Sequence, residues 1–155
     1  MSAQNINITQ IIERAIAFEE DACAFYTNAI AMVEQAHVQK TLQDLADQEV
    51  EHKKKLQQLL DGGLSGSLDA TPARIQDLKL AEYLTPPVLD AKATFQDVLL
   101  VAMNREKSSF DFYSTMIGLA EDEATKKLFE FLAQEELGHK NSIETLYDEV
   151  VYQEF

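Results

Sequence analysis

Eight side chains in this sequence could do chemistry together, and they come in two matching sets of four. Glu19, Tyr26, Glu49 and His52 recur as Glu106, Tyr113, Glu136 and His139, each 87 positions further on. The same offset carries Phe25 onto Phe112, Leu45 onto Leu132, Lys53 onto Lys140 and Leu59 onto Leu146. Each set reads Glu, then Tyr seven residues later, then Glu-x-x-His. Carboxylate oxygen combined with imidazole nitrogen suits Fe, Mn or Zn better than Mg or Ca. Four Glu and two His satisfy two metal ions: each His caps one ion, two Glu bridge the pair and two are terminal.

Taken singly, these residues would mean little. One Glu-x-x-His on an acidic helix is a weak signal, a lone His is more often a satisfied core or surface residue, and a lone Tyr usually packs. The joint pattern is different, because all six ligand candidates fall where the helical period otherwise demands Leu, Ile or Ala. An isolated ionised carboxylate is costly to bury, so four of them together call for compensating cations. Glu-x-x-His also puts both side chains on one helix face, a turn apart. Glu20, Asp21, Asp47, Glu51, Asp111 and Glu135 lie off that face and read as solvated. His37 falls in an expected turn and is not a ligand candidate.

The elements that must position these groups follow from the breakers. Gly62, Gly63, Gly66, Pro72, Pro86 and Pro87 cluster in one region, with long breaker-poor flanks. The pattern predicts helices over about 8–35, 38–61, 94–119 and 123–153, with a connector over about 62–93, all in one domain spanning 1–155. Asn7 with Gln10, and Thr94 with Asp97, resemble capping boxes. The inner stripe of the first helix is Ile12, Ile16, Glu19, Cys23, Tyr26, Ile30 and Val33; that of the second is Leu42, Leu45, Glu49, His52, Leu56 and Leu59. The third runs Leu99, Ala102, Glu106, Ser109 or Phe110, Tyr113 and Ile117, and the fourth Leu128, Leu132, Glu136, His139, Ile143, Leu146 and Val150. A turn around Ala36 and His37, and another after Gly118, make each pair an antiparallel hairpin. Thirty structureless residues would be unusual in a compact domain, so a short helix is expected after Pro72, through Ile75, Leu78 and Leu80.

Composition narrows the partners. A formal charge of −14, from 27 acidic and 13 basic residues, argues against nucleic acid or an anionic membrane. The segment Lys53-Lys54-Lys55 is too short for a nucleic-acid patch. A single Cys, Cys23, excludes an internal disulfide and any centre held by several cysteines of this chain. No apolar run reaches the length of a transmembrane helix. Residues 1–5 show no leader pattern, and a reducing cytoplasm is the expected setting.

Four stretches together resemble the ferritin-like superfamily and, within it, the rubrerythrin-like proteins: residues 15–26 (AIAFEEDACAFY), 45–52 (LADQEVEH), 102–113 (AMNREKSSFDFY) and 132–139 (LAQEELGH). The resemblance implies an all-α, ferritin-like four-helix bundle of two antiparallel hairpins joined by a long crossover. It implies two iron ions per chain, with Mn or Zn as possible substitutes, held by Glu19, Glu49, His52, Glu106, Glu136 and His139. It makes Tyr26 and Tyr113 hydrogen-bond donors to ligand carboxylates. The activity implied is reduction of hydrogen peroxide by a non-haem di-iron centre; a ferroxidase using O2 or H2O2, and a metal-binding bundle without turnover, are the alternatives. There are three departures from the family pattern. No rubredoxin domain follows, so a separate donor protein such as a rubredoxin is expected. Ser109 stands where rubrerythrins carry an extra Glu, which brings the ligand set closer to that of bacterioferritin. About sixteen residues follow His139, too few for the fifth helix of ferritin cages, and Val50 replaces the haem-ligating methionine, so no haem is expected. A homodimer is expected, as in related bundles.

Overall fold

The computed structural model describes residues 6–64 and 66–153; the leader reading at residues 1–5 and the last two residues lie outside these. The order is α1 (Ile8–Ile30), α2 (Ala36–Asp61), α3 (Pro72–Asp77), α4 (Leu80–Tyr83), α5 (Phe95–Ile117) and α6 (Glu123–Gln153). Both expected capping boxes form. Asn7 and Gln10 exchange side-chain bonds at the start of α1, and Thr94 and Asp97 do so at the start of α5, satisfying amides that have no partner within the helix. The α1–α2 and α5–α6 pairs each pack as an antiparallel hairpin, and the hairpins meet through α2 against α6 and α1 against α5. No described helix is long and apolar enough to cross a membrane.

Three helix boundaries differ from the periodicity. α1 ends at Ile30 rather than near residue 35, and α2 begins at Ala36, so Ala36 and His37 lie in its first turn rather than in the link. Residues 31–35 contain no Gly or Pro, so nothing local marks the stop. Here the need to reverse the chain overrides helix propensity, and Gln39 Nε2 donates to Val33 O at 2.9 Å to hold the link. α5 likewise ends two residues early, at Ile117, with Gly118 as its cap.

The connector is mostly ordered by packing. Thr71 caps α3, with Pro72 in its first turn, where a missing N–H costs nothing. Instead of one short helix there are two, because Lys79 between them takes a left-handed φ of 54°. Ile75, Leu80 and Leu84 bury themselves in the adjoining core. Two backbone bonds of 2.8 Å, from Asp69 N to Leu119 O and from Glu121 N to Ser67 O, tie the connector to the α5–α6 turn.

The core is divided. One apolar cluster takes the buried apolar residues from Ile11 to Phe18 of α1, Leu56 of α2, Phe112, Tyr113 and Met116 of α5, and Phe129, Leu132 and Ala133 of α6, together with buried residues of the connector. The other takes Tyr26 and Ala29 of α1, Val38, Leu42, Leu45 and Ala46 of α2, Val98, Leu99 and Ala102 of α5, and Ile143 with Leu146 of α6. On every long helix the ligand candidates fall at the break between the clusters. The bundle thus has two greasy ends and a polar layer at mid-height.

Candidate metal centre

The inner stripes deliver Glu19, Glu49, His52, Glu106, Glu136 and His139 into that layer, none more than 4% exposed. Glu49, His52, Glu136 and His139 present ligand atoms all within 4.8 Å of one another. Distances sort the carboxylates. His52 Nδ1 lies 3.1 Å from Glu136, 3.2 Å from Glu49 and 3.5 Å from Glu19. His139 Nδ1 lies 3.2 Å from Glu49, 3.3 Å from Glu136 and 3.6 Å from Glu106. Glu49 and Glu136 are therefore shared between the two imidazoles, whereas Glu19 belongs to His52 and Glu106 to His139. The sequence required two bridging and two terminal carboxylates without saying which; the fold separates them.

The tyrosines cross between halves. Tyr113 donates to Glu19 at 2.6 Å, and Tyr26 donates to Glu106. Each terminal carboxylate is thus oriented by the hairpin that did not supply it. Repeat mates that touch mark the pseudo-twofold axis. His52 stacks on His139 with ring centroids 5.3 Å apart on the α2–α6 side, and Arg105 lies 4.7 Å over its mate Phe18 on the α1–α5 side.

The cluster is badly satisfied as protein alone. Glu19 Oε2, Glu49 Oε1, Glu106 Oε2, both oxygens of Glu136 and the Nδ1 atoms of both histidines are buried without a hydrogen-bond partner. Buried polar atoms are ordinarily paired, and these converge, so the donor set fits a pair of divalent cations. Without metal, protons do part of that work. Burial and neighbouring carboxylates push Glu49 and Glu19 up, and burial with Glu136 pushes Glu106 up to about 7. Burial disfavours the imidazolium, but the carboxylates around His139 push it up to about 12, and His52 is raised in the same way. Burial would also raise Glu136, but contact with both imidazoles holds it well below the usual range.

Two openings reach this layer. A cavity of about 250 Å³ between α1 and α2 is lined by Glu19, Glu20, Cys23, Glu49, Val50 and Lys53. A cleft of about 370 Å³ between α2 and α6 reaches His139 past Gln48 and Glu135.

Some positions read from sequence as solvated are more than that. Glu135, 37% exposed, stands 3.5 Å from His52 Nε2, and Asp21 pairs at 2.9 Å with Arg105, which is only 3% exposed. The reading missed Arg105 and Gln48 altogether. Gln48 accepts a hydrogen bond from His139 Nε2, and it is the repeat mate of Glu135, so the 87-residue offset could have found both. Glu20, Glu51 and Asp111 do form exposed pairs, with Lys53, Lys54 and Lys107. His37 bonds Glu149 at the surface and takes no part in the cluster.

Two hairpins, a long crossover and a Glu/His layer at mid-height define a ferritin-like bundle. Within that class the chain belongs to the rubrerythrin family, whose sequence profile matches residues 10–147. Among solved structures, a hypothetical protein from Pyrococcus furiosus superposes with a TM-score of 0.76 at 20% identity, covering 98% of this chain and 95% of that one, and so shares the fold. No curated protein matches significantly.

Proposed function

We propose that the centre holds two iron ions and that the protein reduces hydrogen peroxide with electrons from a separate donor protein. The observation that carries this reading is the sorting of six buried ligands into two terminal Glu–His pairs and two shared Glu. When bound, an iron pair supplies one electron from each ion. These two electrons and two protons convert one H2O2 to two waters.

The chain's own residues bind, orient and exclude. Glu49 and Glu136, each close to both imidazoles, would be shared by the two ions, and Tyr113 and Tyr26 orient Glu19 and Glu106. Burial of all six ligands keeps bulk water out of a site where reactive oxygen chemistry would otherwise leak. The α1–α2 cavity at Glu19 and Glu49 is wide enough for a molecule the size of peroxide.

A ferroxidase, oxidising Fe(II) with O2 or H2O2, is the second reading, and Ser109 favours it. Ser109 is buried on α5 one turn past Glu106, where it offers a hydroxyl and no seventh carboxylate. Anaerobic loading with Fe(II), followed by stopped-flow mixing with peroxide or oxygen, separates the two. Faster oxidation by peroxide is expected; faster oxidation by oxygen would favour the ferroxidase. Uptake of fewer than two ions per chain on reconstitution would overturn both. We further propose a cytoplasmic homodimer, which light scattering would test for its dimeric state.

A further inference from the structure

The two imidazoles are backed differently. Each His turns Nδ1 toward the carboxylate layer and Nε2 away from it. Behind His52 Nε2, which makes no hydrogen bond, the Glu135 carboxylate stands 3.5 Å away as a nearby charge, with Phe131 edge-on to the ring at 6.5 Å between centroids. Behind His139 Nε2 stands the Gln48 amide oxygen, within hydrogen-bond distance. Gln48 and Glu135 immediately precede the shared ligands Glu49 and Glu136 and are repeat mates, so they occupy equivalent places with different chemistry. A carboxylate behind a metal-binding imidazole raises its basicity, and an amide oxygen does so less. Each place has its own opening, so access alone does not separate them: His139, with Gln48 and Glu135, borders the α2–α6 cleft, and Glu19 borders the α1–α2 cavity.

We propose that Gln48 and Glu135 make the two metal positions inequivalent. The Glu19–His52 position, backed by Glu135, fills first and holds its ion more tightly. The Glu106–His139 position, backed by the neutral Gln48 beside the cleft, is the exchangeable one. This rests on the two-ion reading above. Glu135 and Gln48 act as positioning residues, through the histidines rather than on substrate.

The test is anaerobic titration of the metal-free protein with Co(II), read by d–d absorption and by the paramagnetically shifted imidazole N–H resonances. Two binding steps separated by about 10- to 100-fold are expected, with the His52 resonance shifting at the first equivalent. Glu135→Gln should weaken the first step and Gln48→Glu should strengthen the second, each closing the gap. The double swap should move the first shift to His139. Both side chains reach solvent and both changes are isosteric, and far-ultraviolet circular dichroism would verify the fold. Two ions bound with an unchanged gap in both single variants would overturn this inference while leaving the two-ion reading intact. Fewer than two ions bound by the unaltered protein would overturn both.

Discussion

In the first hairpin, the cavity beside the ligands is lined by Cys23 and Val50, and the salt bridge over it, Lys53 to Glu20, joins α1 to α2 at 2.7 Å. In the second, Phe110 stands at the position equivalent to Cys23 and packs into the core, and Lys140 turns to Glu144 on its own helix. Phe18 of the first hairpin answers to Arg105 of the second, and Gln48 to Glu135. Yet the four Glu, two His and two Tyr match position for position. The difference shows what fixes each layer. Groups that converge in the buried layer must agree in type and height, because a single misplaced carboxylate leaves a buried charge without a partner. Groups one layer out answer only to local neighbours, and so the halves diverge there.

The strongest way to break this comparison is to remove ligands from different classes. Glu49→Ala and Glu136→Ala delete shared carboxylates and should each abolish binding of both ions, from either hairpin alike. Glu19→Ala and Glu106→Ala should leave one ion, and His139→Ala should likewise fall below two. Metal analysis after reconstitution reads this out. If the terminal and shared variants lose the same number of ions, the sorting by distance is wrong.

Next in size is the effect of the ions on stability. Loading at a hundred times the dissociation constant adds about 2.7 kcal/mol per site, roughly 5–10 °C in Tm for a domain of this size. The increment should grow with pH. In the metal-free protein, Glu19, Glu49 and Glu106 have raised pKa values, as do both histidines. Groups raised in the folded state stabilise it below their unfolded values and lose that contribution as pH rises through the folded ones. Stability of the metal-free protein should therefore fall from about pH 5 to pH 8, the span covering the rise of Glu106 from 4.5 to about 7. Glu136 acts oppositely, but its pKa is lowered and its contribution is lost only in acid. Metal displaces these protons, so the loaded protein should be flatter across the window. Parallel melts at several pH values check the sign.

Smaller still are the tyrosines. Tyr26→Phe and Tyr113→Phe each remove one donor from a terminal carboxylate, and each should weaken the adjoining ion by about tenfold. Because the two are symmetric mates, the two losses should be equal within error by Co(II) titration. A large inequality would mean that the halves differ in their inner layer too.

Much of this was legible before any coordinates. The buried Glu/His cluster, the tyrosines and the capping boxes could be read because each has a local or periodic signature: Glu-x-x-His on one face, Asn7 with Gln10, Thr94 with Asp97. The offset extended that reading across hairpins. The end of α1 was not legible, since residues 31–35 favour helix and only the chain reversal stops it. The break at Lys79 was hidden as well, because a lysine carries no mark of a left-handed φ. Which carboxylates are shared depends on how α2 approaches α6, a packing fact no spacing encodes. The roles of Asp21 and Glu135 were lost for a related reason. Both are partly exposed and off the stripe, and both matter only for what another helix brings alongside.

Asp21 and its neighbour Glu20 give the finest test. They are adjacent acids on α1, each half-exposed and each paired with a cation on another helix. Glu20 meets Lys53, whose own side chain is 39% exposed, so the pair is solvated on both sides. Such pairs contribute about 0–1 kcal/mol. Asp21 meets Arg105, whose guanidinium is buried between the rings of Phe18 and Phe25 at 4.7 and 5.2 Å and whose Nε has no hydrogen-bond partner. Among the described residues Asp21 is its one anionic contact, at the edge of the buried region, and its loss leaves a desolvated cation against aromatic faces. Asp21→Asn should therefore cost about 1–3 kcal/mol, well above Glu20→Gln, in urea denaturation of the metal-free protein. Arg105→Met should recover part of that loss in an Asp21→Asn background, because an apolar side chain of similar length removes the charge and keeps the packing against Phe18. Equal costs for the two acids would mean that Arg105 reaches water, and that this second hairpin's exchange of phenylalanine for arginine is an accident of the surface rather than a built contact.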